Sequence, residues 1–279
     1  MPAGTNSVSL PELLESIDEP DWREATLVSE LSGGPVSRSW QLNTAVGPVV
    51  LRMDLPLAAK LALDRSAEML VLKAVAMNDI GPELLWADPE RGLQVTRLLP
   101  GLIWTAYDVA EPDNLIRLGA LFSRLHSIPV VHESRDLRKT LEIYAASINT
   151  ARADSLFRSA EKILVDTSVD SGTPVFCHRD GHCGNIVDNG ELRLIDWEYA
   201  GSGDPCFDLA VVAQQHQLNA RQLDRMLEGY DERPYSVDKG RLQQFCSLYG
   251  YVAALWDMLA SQEPPPVGQR PGISEAGPD

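Results

Sequence analysis

Residues 177–187 read CHRDGHCGNIV, and the segment LIDWE follows at 194–198. In the first segment Asn185 stands five residues after Asp180, and the second segment is an apolar run that ends in Asp196. The apolar runs that flank these polar residues are typical of short strands, at 175–178, 185–187 and 192–195. The pattern therefore predicts a small β-rich insert that carries two chemically active turns.

The order His-Arg-Asp followed by Asn five residues later has the spacing of a phosphotransferase catalytic loop. A hydroxyl that attacks a γ-phosphoryl group needs a carboxylate to orient it and to take its proton, and Asp180 is the predicted base. His178 is assigned to the catalytic loop as a residue that orients it through hydrogen bonds. The amide oxygen of Asn185 and the carboxylate of Asp196 are predicted ligands of Mg²⁺, which prefers oxygen.

A metal–thiolate site is the competing interpretation of the same segment, because it contains Cys177, His178, His182 and Cys183. Neighbouring side chains of an extended strand point to opposite faces, so these adjacent pairs converge poorly on one ion. The chain has four cysteines and no C-x-x-C pair, which disfavours a zinc ribbon and a disulfide framework. A reducing, cytoplasmic compartment is the expectation.

The first hundred residues are predicted to hold the nucleotide. A glycine-containing turn with Gly33, Gly34 and Ser37 separates two strand-like runs, and glycine lets backbone N–H groups approach phosphate oxygens. It is not a Walker A loop, because no Gly-Lys-Ser/Thr follows. Arg52 on the third strand-like run is predicted to reach the nucleotide phosphates, and Glu68 on the next helix to pair with it.

The succession of elements predicts an α+β fold with two lobes. Five strand-like runs, of which the first three are joined by short glycine turns as in an antiparallel meander, are predicted to form a five-stranded antiparallel sheet, which makes up the first lobe with one helix over 63–77. The second lobe is predicted to be mainly helical, with the short β insert that carries the catalytic loop. The predicted boundaries are 1–99 for the nucleotide-binding lobe, 100–261 for the catalytic and substrate lobe, and 262–279 for a flexible tail rich in Pro, Gly and charge.

Taken in order, LSGGPVSRSW, VVLRM, the helix with Glu68, HRDGHCGN and LIDWEYAG resemble the aminoglycoside phosphotransferase / choline kinase superfamily. The resemblance covers about 27–230 and implies a protein-kinase-like fold, with ATP or GTP and Mg²⁺ as cofactors. Within the superfamily the motifs are most similar to those of bacterial thiamine kinases and choline kinases. No D-F-G or A-P-E is present, and the segment after Trp197 is too short to dock a polypeptide, so a small-molecule acceptor is expected.

Charge and hydropathy narrow the partners further. Forty acidic residues against 24 basic ones give a net charge of −16, which disfavours nucleic acid and suits a cationic small molecule. The sequence contains no run of about 18 apolar residues, so no membrane-spanning helix is predicted. The first twenty residues have no signal-peptide pattern. Both favoured acceptors are cations with a primary hydroxyl, and an acidic, aromatic neighbourhood would suit them: Trp197, Glu198 and Asp204.

Two alternatives remain open from the sequence. One is an aminoglycoside or sugar kinase of the same superfamily, although Arg52 and Trp197-Glu198 argue against antibiotic resistance. The other is a catalytically silent nucleotide-binding module on the same fold, against which Asp180, Asn185 and Asp196 argue. A hydrolase of the best-known kind is disfavoured because no G-x-S-x-G occurs.

Overall fold

The computed structural model describes residues 9–17, 22, 24–31, 33–61, 63–130, 136–168, 173–230 and 237–262. Its strands are β1 Thr26–Leu31, β2 Ser37–Thr44, β3 Gly47–Asp54, β4 Leu84–Asp88, β5 Leu93–Arg97, β6 Leu102–Ile103, β7 Val175–Cys177, β8 Ile186–Asp188, β9 Leu192–Leu194 and β10 Gly201–Gly203. Its helices are α1 Leu10–Glu15, α2 Pro56–Lys60, α3 Arg65–Met77, α4 Ala106–Ala110, α5 Pro112–Leu125, α6 Leu137–Ile148, α7 Ala151–Ser168, α8 Pro205–Gln215, α9 Ala220–Tyr230 and α10 Lys239–Ala260.

A five-stranded antiparallel sheet forms the first half, in the order β1-β2-β3-β5-β4. Strands β1 to β3 are a meander, as the glycine turns predict, and β5 pairs between β3 and β4. On β2 the alternating residues Trp40 and Leu42 are buried together with Val49 and Leu51 of β3, and α1 covers this face of the sheet with Leu13. The predicted α+β fold and the five-stranded antiparallel sheet are confirmed.

Helix α3 connects the sheet to the catalytic insert. Asp64 caps its first turn by accepting a hydrogen bond from Ala67 N at 2.9 Å. After the helix ends, the carbonyl of Ile80 accepts a hydrogen bond from Leu194 N of β9 at 2.7 Å. A Cβ on Gly81 would lie 2.8 Å from Nε1 of Trp197, so only glycine allows this close approach.

The second half is mainly helical, and its apolar core is continuous with the buried face of α3. Val71, Leu72 and Val75 of α3 belong to the same buried cluster as Phe122 of α5 and the apolar residues of α8. The β insert consists of two small sheets, β6-β8-β9 and β7-β10. Because one core spans both halves, the strands of the insert are held in a fixed relation to α3.

Among the described residues, the sequence did not predict the short elements α2, α4, β6 and β10 or the 3₁₀ turn at Cys183–Asn185. Each is two to five residues long, which is too short for hydrophobic periodicity to reveal. The predicted flexible tail from 263 onward lies outside the described residues, and the lobe boundary near residue 99 stays a prediction. In the part of the chain that the structure describes, no helix is long and apolar enough to cross a membrane.

Helices α5 and α9 make a close contact at two glycines. A Cβ on Gly119 would overlap the backbone oxygen of Met226, and a Cβ on Gly229 would overlap that of Ile116. Gly119→Ala should therefore force the helices apart and lower the free energy of unfolding by about 2–3 kcal/mol. Urea unfolding followed by circular dichroism measures this loss.

Gly250→Ala in α10 is the matched control, because a Cβ there meets no atom within 4 Å. This substitution should raise the free energy of unfolding by about 0.5–1 kcal/mol through helix propensity alone. Equal effects of the two substitutions would contradict the close helix contact.

Candidate active site

His178 holds the backbone of the catalytic loop rather than facing solvent. Its side chain is fully buried, Nδ1 accepts a hydrogen bond from Asp180 N at 3.2 Å, and Nε2 lies 3.0 Å from the carbonyl of Ile195. A ring that accepts at Nδ1 and faces a carbonyl at Nε2 carries its proton on Nε2. Burial lowers the pKa of His178, which keeps the ring neutral. His178 therefore connects the backbone of Asp180 to the segment that precedes Asp196.

Asn185 fixes the side chain of Asp180. Its amide nitrogen donates to the backbone oxygen of Asp180 at 2.9 Å and to Oδ2 at 3.0 Å. Both hydrogens of the amide are thereby directed at Asp180, and the amide oxygen is the atom that could bind a cation. The carbonyl of Asn185 also accepts a hydrogen bond from Ile195 N at 3.0 Å, which places Asp196 directly beside this pair.

Asp208 holds the same loop through hydrogen bonds to its backbone, a role that the sequence did not reveal. This fully buried carboxylate accepts hydrogen bonds from His178 N at 2.9 Å and Arg179 N at 2.6 Å. His126 Nε2 lies 3.0 Å from its Oδ2, and Tyr230 completes the chain through its hydroxyl. The arrangement holds Arg179 in the left-handed region, at φ 70°. Only tertiary packing brings these residues together, because 82 positions separate His126 from Asp208.

An ionic cluster lies beside the loop. Arg52 Nη2 donates to Glu68 at 2.6 Å, so the structure brings the predicted pair together, and Nη1 donates to Asp196 Oδ1 at 3.3 Å. Arg65 adds a second guanidinium, which donates to Glu68 and Glu198 at 2.7 and 3.0 Å. Arg65 had no sequence signal of its own beyond its place three residues before Glu68.

Burial and neighbouring carboxylates raise the pKa values of two acids in this region, Asp180 and Glu198. Burial, followed by the charges of Asp196 and Glu198, raises the pKa of Asp180 well above its usual range. Burial and the charge of Asp196 raise the pKa of Glu198 to about 8, despite the two arginines. Carboxylates outnumber cations here, so the site is chemically suited to a further cation.

Several observations fit a metal–nucleotide complex. Asn185 and Asp196 provide one amide and one carboxylate oxygen from two segments, which is the donor set that Mg²⁺ takes alongside phosphate. The side-chain atoms Nε of Arg52 and Oε1 of Glu68 are buried and have no hydrogen-bond partner among the described residues. Buried polar atoms of this kind are rare unless a ligand or water satisfies them.

The glycine turn between β1 and β2 has room for a ligand at one of its two glycines. A Cβ on Gly34 would meet no atom within 4 Å, and this residue is exposed. A Cβ on Gly33 would lie 2.9 Å from the carbonyl oxygen of Ser37, so Gly33 permits the tight approach to the start of β2. Binding of phosphate by Gly33, Gly34 and Ser37 stays a prediction.

The three residues suggested for the acceptor have other partners. Trp197 is 1% exposed, stacks on Phe176 and donates to the carbonyl of Leu194 at 3.1 Å. The carboxylate of Glu198 is turned to Arg65. Asp204 caps α8 by accepting from Cys206 N at 2.8 Å and also binds Arg241. Packing, pairing and capping are therefore the contacts that these side chains make, and their contact with an acceptor stays a prediction.

Residues 28–245 match the model of the family described as Phosphotransferase enzyme family. Protein LicA of Haemophilus influenzae is 26% identical over 226 residues, which are 76% of this chain and 65% of that protein. Thiamine kinase of Shigella boydii is 49% identical, but over 47 residues that cover 16% of this chain and 17% of that enzyme. The match therefore spans less than two thirds of the length of either relative.

Solved structures share the fold. A choline/ethanolamine kinase family protein from Mesorhizobium loti aligns with a TM-score of 0.73 and 22% identity, over 92% of this chain and 86% of that one. LicA in complex with AMP aligns with a TM-score of 0.76 and 16% identity, over 90% of this chain and 89% of that one. These findings confirm the resemblance to the superfamily that was drawn from the motifs.

Asp180→Asn should separate chemistry from stability. The amide cannot take a proton, so turnover should fall by about 10²–10⁴-fold. The raised pKa means that Asp180 favours folding below the pKa of an unfolded aspartate, about 3.9, and that this contribution is lost as the pH rises through its folded pKa. The variant should therefore melt at a higher temperature than the wild type at pH 7.

Asp188→Asn is the matched control with the opposite sign. Hydrogen bonds from Arg117 lower the pKa of Asp188 to about 2, so its contribution to folding is present above about pH 3.9 and is lost as the pH falls toward 2. This variant should melt at a lower temperature at pH 7 and retain turnover. Near-normal turnover of a folded Asp180→Asn variant would rule out Asp180 as the base.

Proposed function

Because the chain belongs to the phosphotransferase enzyme family, we propose that it is a small-molecule kinase. The reaction is transfer of the γ-phosphate of ATP to the hydroxyl of a small cationic molecule, in the presence of Mg²⁺. A choline-like or thiamine-like alcohol is the proposed acceptor class. A polypeptide, a nucleic acid and a membrane lipid are outside this proposal.

The observation that carries the proposal is the convergence of three side chains from two segments. Asn185 binds Asp180 through both hydrogens of its amide, and its backbone carbonyl holds Ile195, the residue before Asp196. Asp180, the proposed base, thus lies next to the two proposed oxygen ligands, which differ in charge. A hydroxyl and a metal-bound phosphate can then meet at one point, which is the main requirement of phosphoryl transfer.

Each residue has a distinct part in the reaction. Asp180 accepts the hydrogen bond of the acceptor hydroxyl and takes its proton. Arg52, held by Glu68, orients the nucleotide phosphates. Asn185 and Asp196 would hold Mg²⁺, which would neutralise charge on the phosphate oxygens.

Aromatic and acidic groups near Asp180 support a cationic acceptor. Tyr199 is largely buried, and burial followed by the charge of Glu198 raises the pKa of its phenol well above the usual range. Trp256 of α10 donates from Nε1 to the Tyr199 hydroxyl at 3.1 Å, which links the two side chains. Aromatic faces bind quaternary ammonium groups favourably. A cationic acceptor is consistent with the similarity to a choline/ethanolamine kinase family protein and to a thiamine kinase.

A panel of acceptors tests the proposal. ATP or GTP consumption is measured with choline, ethanolamine, thiamine, amino sugars and aminoglycosides, with and without Mg²⁺. We expect turnover with at least one of the small cationic alcohols and none in a metal chelator. Turnover with aminoglycosides alone would replace the proposed acceptor class, and no turnover with any acceptor would contradict the proposed reaction.

The charge of the acceptor is tested with a neutral analogue. Choline and 3,3-dimethylbutan-1-ol have nearly the same shape but differ in the positive charge. We expect kcat/KM to favour choline by about 2–30-fold, the range that a cation–π contact provides. Trp256→Leu should reduce this preference, whereas Trp86→Leu on the outer strand β4 should not. Equal use of the two alcohols would show that charge is not recognised.

A further inference from the structure

Arg65 contacts three carboxylates on three different segments. Its guanidinium donates two hydrogen bonds to Asp54 at the end of β3, of 2.8 and 2.5 Å. Its Nη1 donates to Glu68 on α3 and to Glu198, two residues beyond Asp196. The side chain is only 9% exposed. Arg65 is thus the point at which the sheet, helix α3 and the segment after Asp196 meet.

Glu68 alone cannot hold both arginines of the cluster. Arg52 and Arg65 donate to the same oxygen, Oε2, while Oε1 has no partner among the described residues. Two guanidinium groups at one carboxylate oxygen repel each other, and this repulsion needs further negative charge. Asp54 supplies that charge on one side of Arg65 and Glu198 supplies it on the other.

Stability does not explain such a cluster. Removing charges from water is costly, and well-packed apolar residues of similar volume are often as stabilising as a buried ion network. What a network of fixed hydrogen bonds does provide is one defined geometry. The pair of Arg65 and Glu198 is therefore expected to define the geometry of a neighbouring segment.

The segment next to this pair is the turn at Asp196. Residues 195–197 belong to no helix or strand, and Asp196 has a left-handed backbone, with φ 64°. On one side the turn is tied to Asn185 through the backbone of Ile195. On the other side Glu198 ties it to Arg65. The backbone of Asp196 thus lies between two anchors, one in the catalytic loop and one on α3, and its carboxylate accepts a hydrogen bond from Arg52 at 3.3 Å.

We propose that Arg65 is a positioning residue of the metal site, which acts through Glu198 to aim the carboxylate of Asp196 at the catalytic loop. The inference deepens the proposed function and rests on it, because it assumes that Asp196 and Asn185 hold Mg²⁺ with the nucleotide. Arg65 itself touches neither the metal nor the nucleotide in this assignment. Its loss changes how well the metal site is formed rather than which residues form it.

Calorimetry with ATP tests the inference without relying on turnover. The affinity for ATP is measured with and without Mg²⁺, and the ratio of the two affinities reports the metal site. Loss of a residue that orients a metal ligand typically costs about 10–100-fold in metal affinity. Arg65→Gln should therefore reduce the magnesium enhancement of ATP binding by about tenfold or more. Its affinity for ATP without metal should change less.

Arg193→Ala is the matched control. Arg193 of β9 also bridges the catalytic insert and the end of α3, through two hydrogen bonds to Asp79 at 2.9 and 2.8 Å, but it lies outside the ionic cluster. This variant removes a bridge of the same kind and should retain the full magnesium enhancement. An equal loss in Arg193→Ala and Arg65→Gln would overturn the inference, because any bridge between these segments would then suffice.

Glu198→Gln and the double variant test the route of the effect. If Arg65 acts through Glu198, the double variant should lose no more of the magnesium enhancement than the single variant that shows the larger loss. If the losses of the two single variants instead multiply in the double variant, this route is contradicted. Glu198→Gln keeps the size of the side chain and serves as the main test if Arg65→Gln does not fold. Full enhancement in a folded Arg65→Gln or Glu198→Gln variant overturns the inference.

The proposed function and the inference fail in different ways. A wild type that binds ATP more tightly with Mg²⁺ but phosphorylates no acceptor contradicts the proposed reaction and leaves the role of Arg65 open to the same calorimetric test. A wild type that binds ATP equally with and without Mg²⁺ overturns the inference as well.

Discussion

The crowding of carboxylates around two arginines is the constraint on which the site depends. Arg52 and Arg65 are buried beside Glu68, Asp54 and Glu198, and Asp196 and Asp180 follow at the open side. Burial, together with the excess of negative charge, raises the pKa values of Asp180 and Glu198. Repulsion among these carboxylates opposes folding. A cation, which is the ligand that phosphoryl transfer requires, would relieve the excess.

The loop that carries Asp180, the proposed base, is held by groups that have no part in the proposed chemistry. Asp208 receives two backbone N–H groups of the loop, and His178 joins the backbone of Asp180 to that of Ile195. These bonds are buried, where a hydrogen bond to a charged acceptor is strong and its loss is costly. The left-handed backbone of Arg179 and Asp196 persists because these contacts over-determine it. Preorganisation of the base and the metal ligands is thus distributed over the loop and α8.

Much of the architecture follows from local pattern. Alternating apolar residues on β2 and β3 predict a half-buried antiparallel sheet, and the apolar stripe of α5 predicts an amphipathic helix, because burial of one face requires that spacing. The catalytic motif also follows from the sequence, since Asp180 and Asn185 are five residues apart and a loop keeps them together. The pairing of Arg52 with Glu68 could be anticipated because a cation on a strand and an acid on a later helix, both ahead of the catalytic loop, are in the order that a phosphotransferase uses. The family match agrees with these motifs.

The sequence by itself determined the fold class, the catalytic segment and the identity of the residues that bear charge, because each depends on spacing within a few turns of chain. Tertiary structure decided which of those charges meet. Trp197 became a core residue because Phe176 and Gly81 pack against it, and Asp204, besides its local cap, is bound by Arg241, 37 positions away. Arg65 and Glu198, 133 positions apart, became partners only when α3 packed on the catalytic insert. Coulomb attraction and burial act through space, and no local pattern records them.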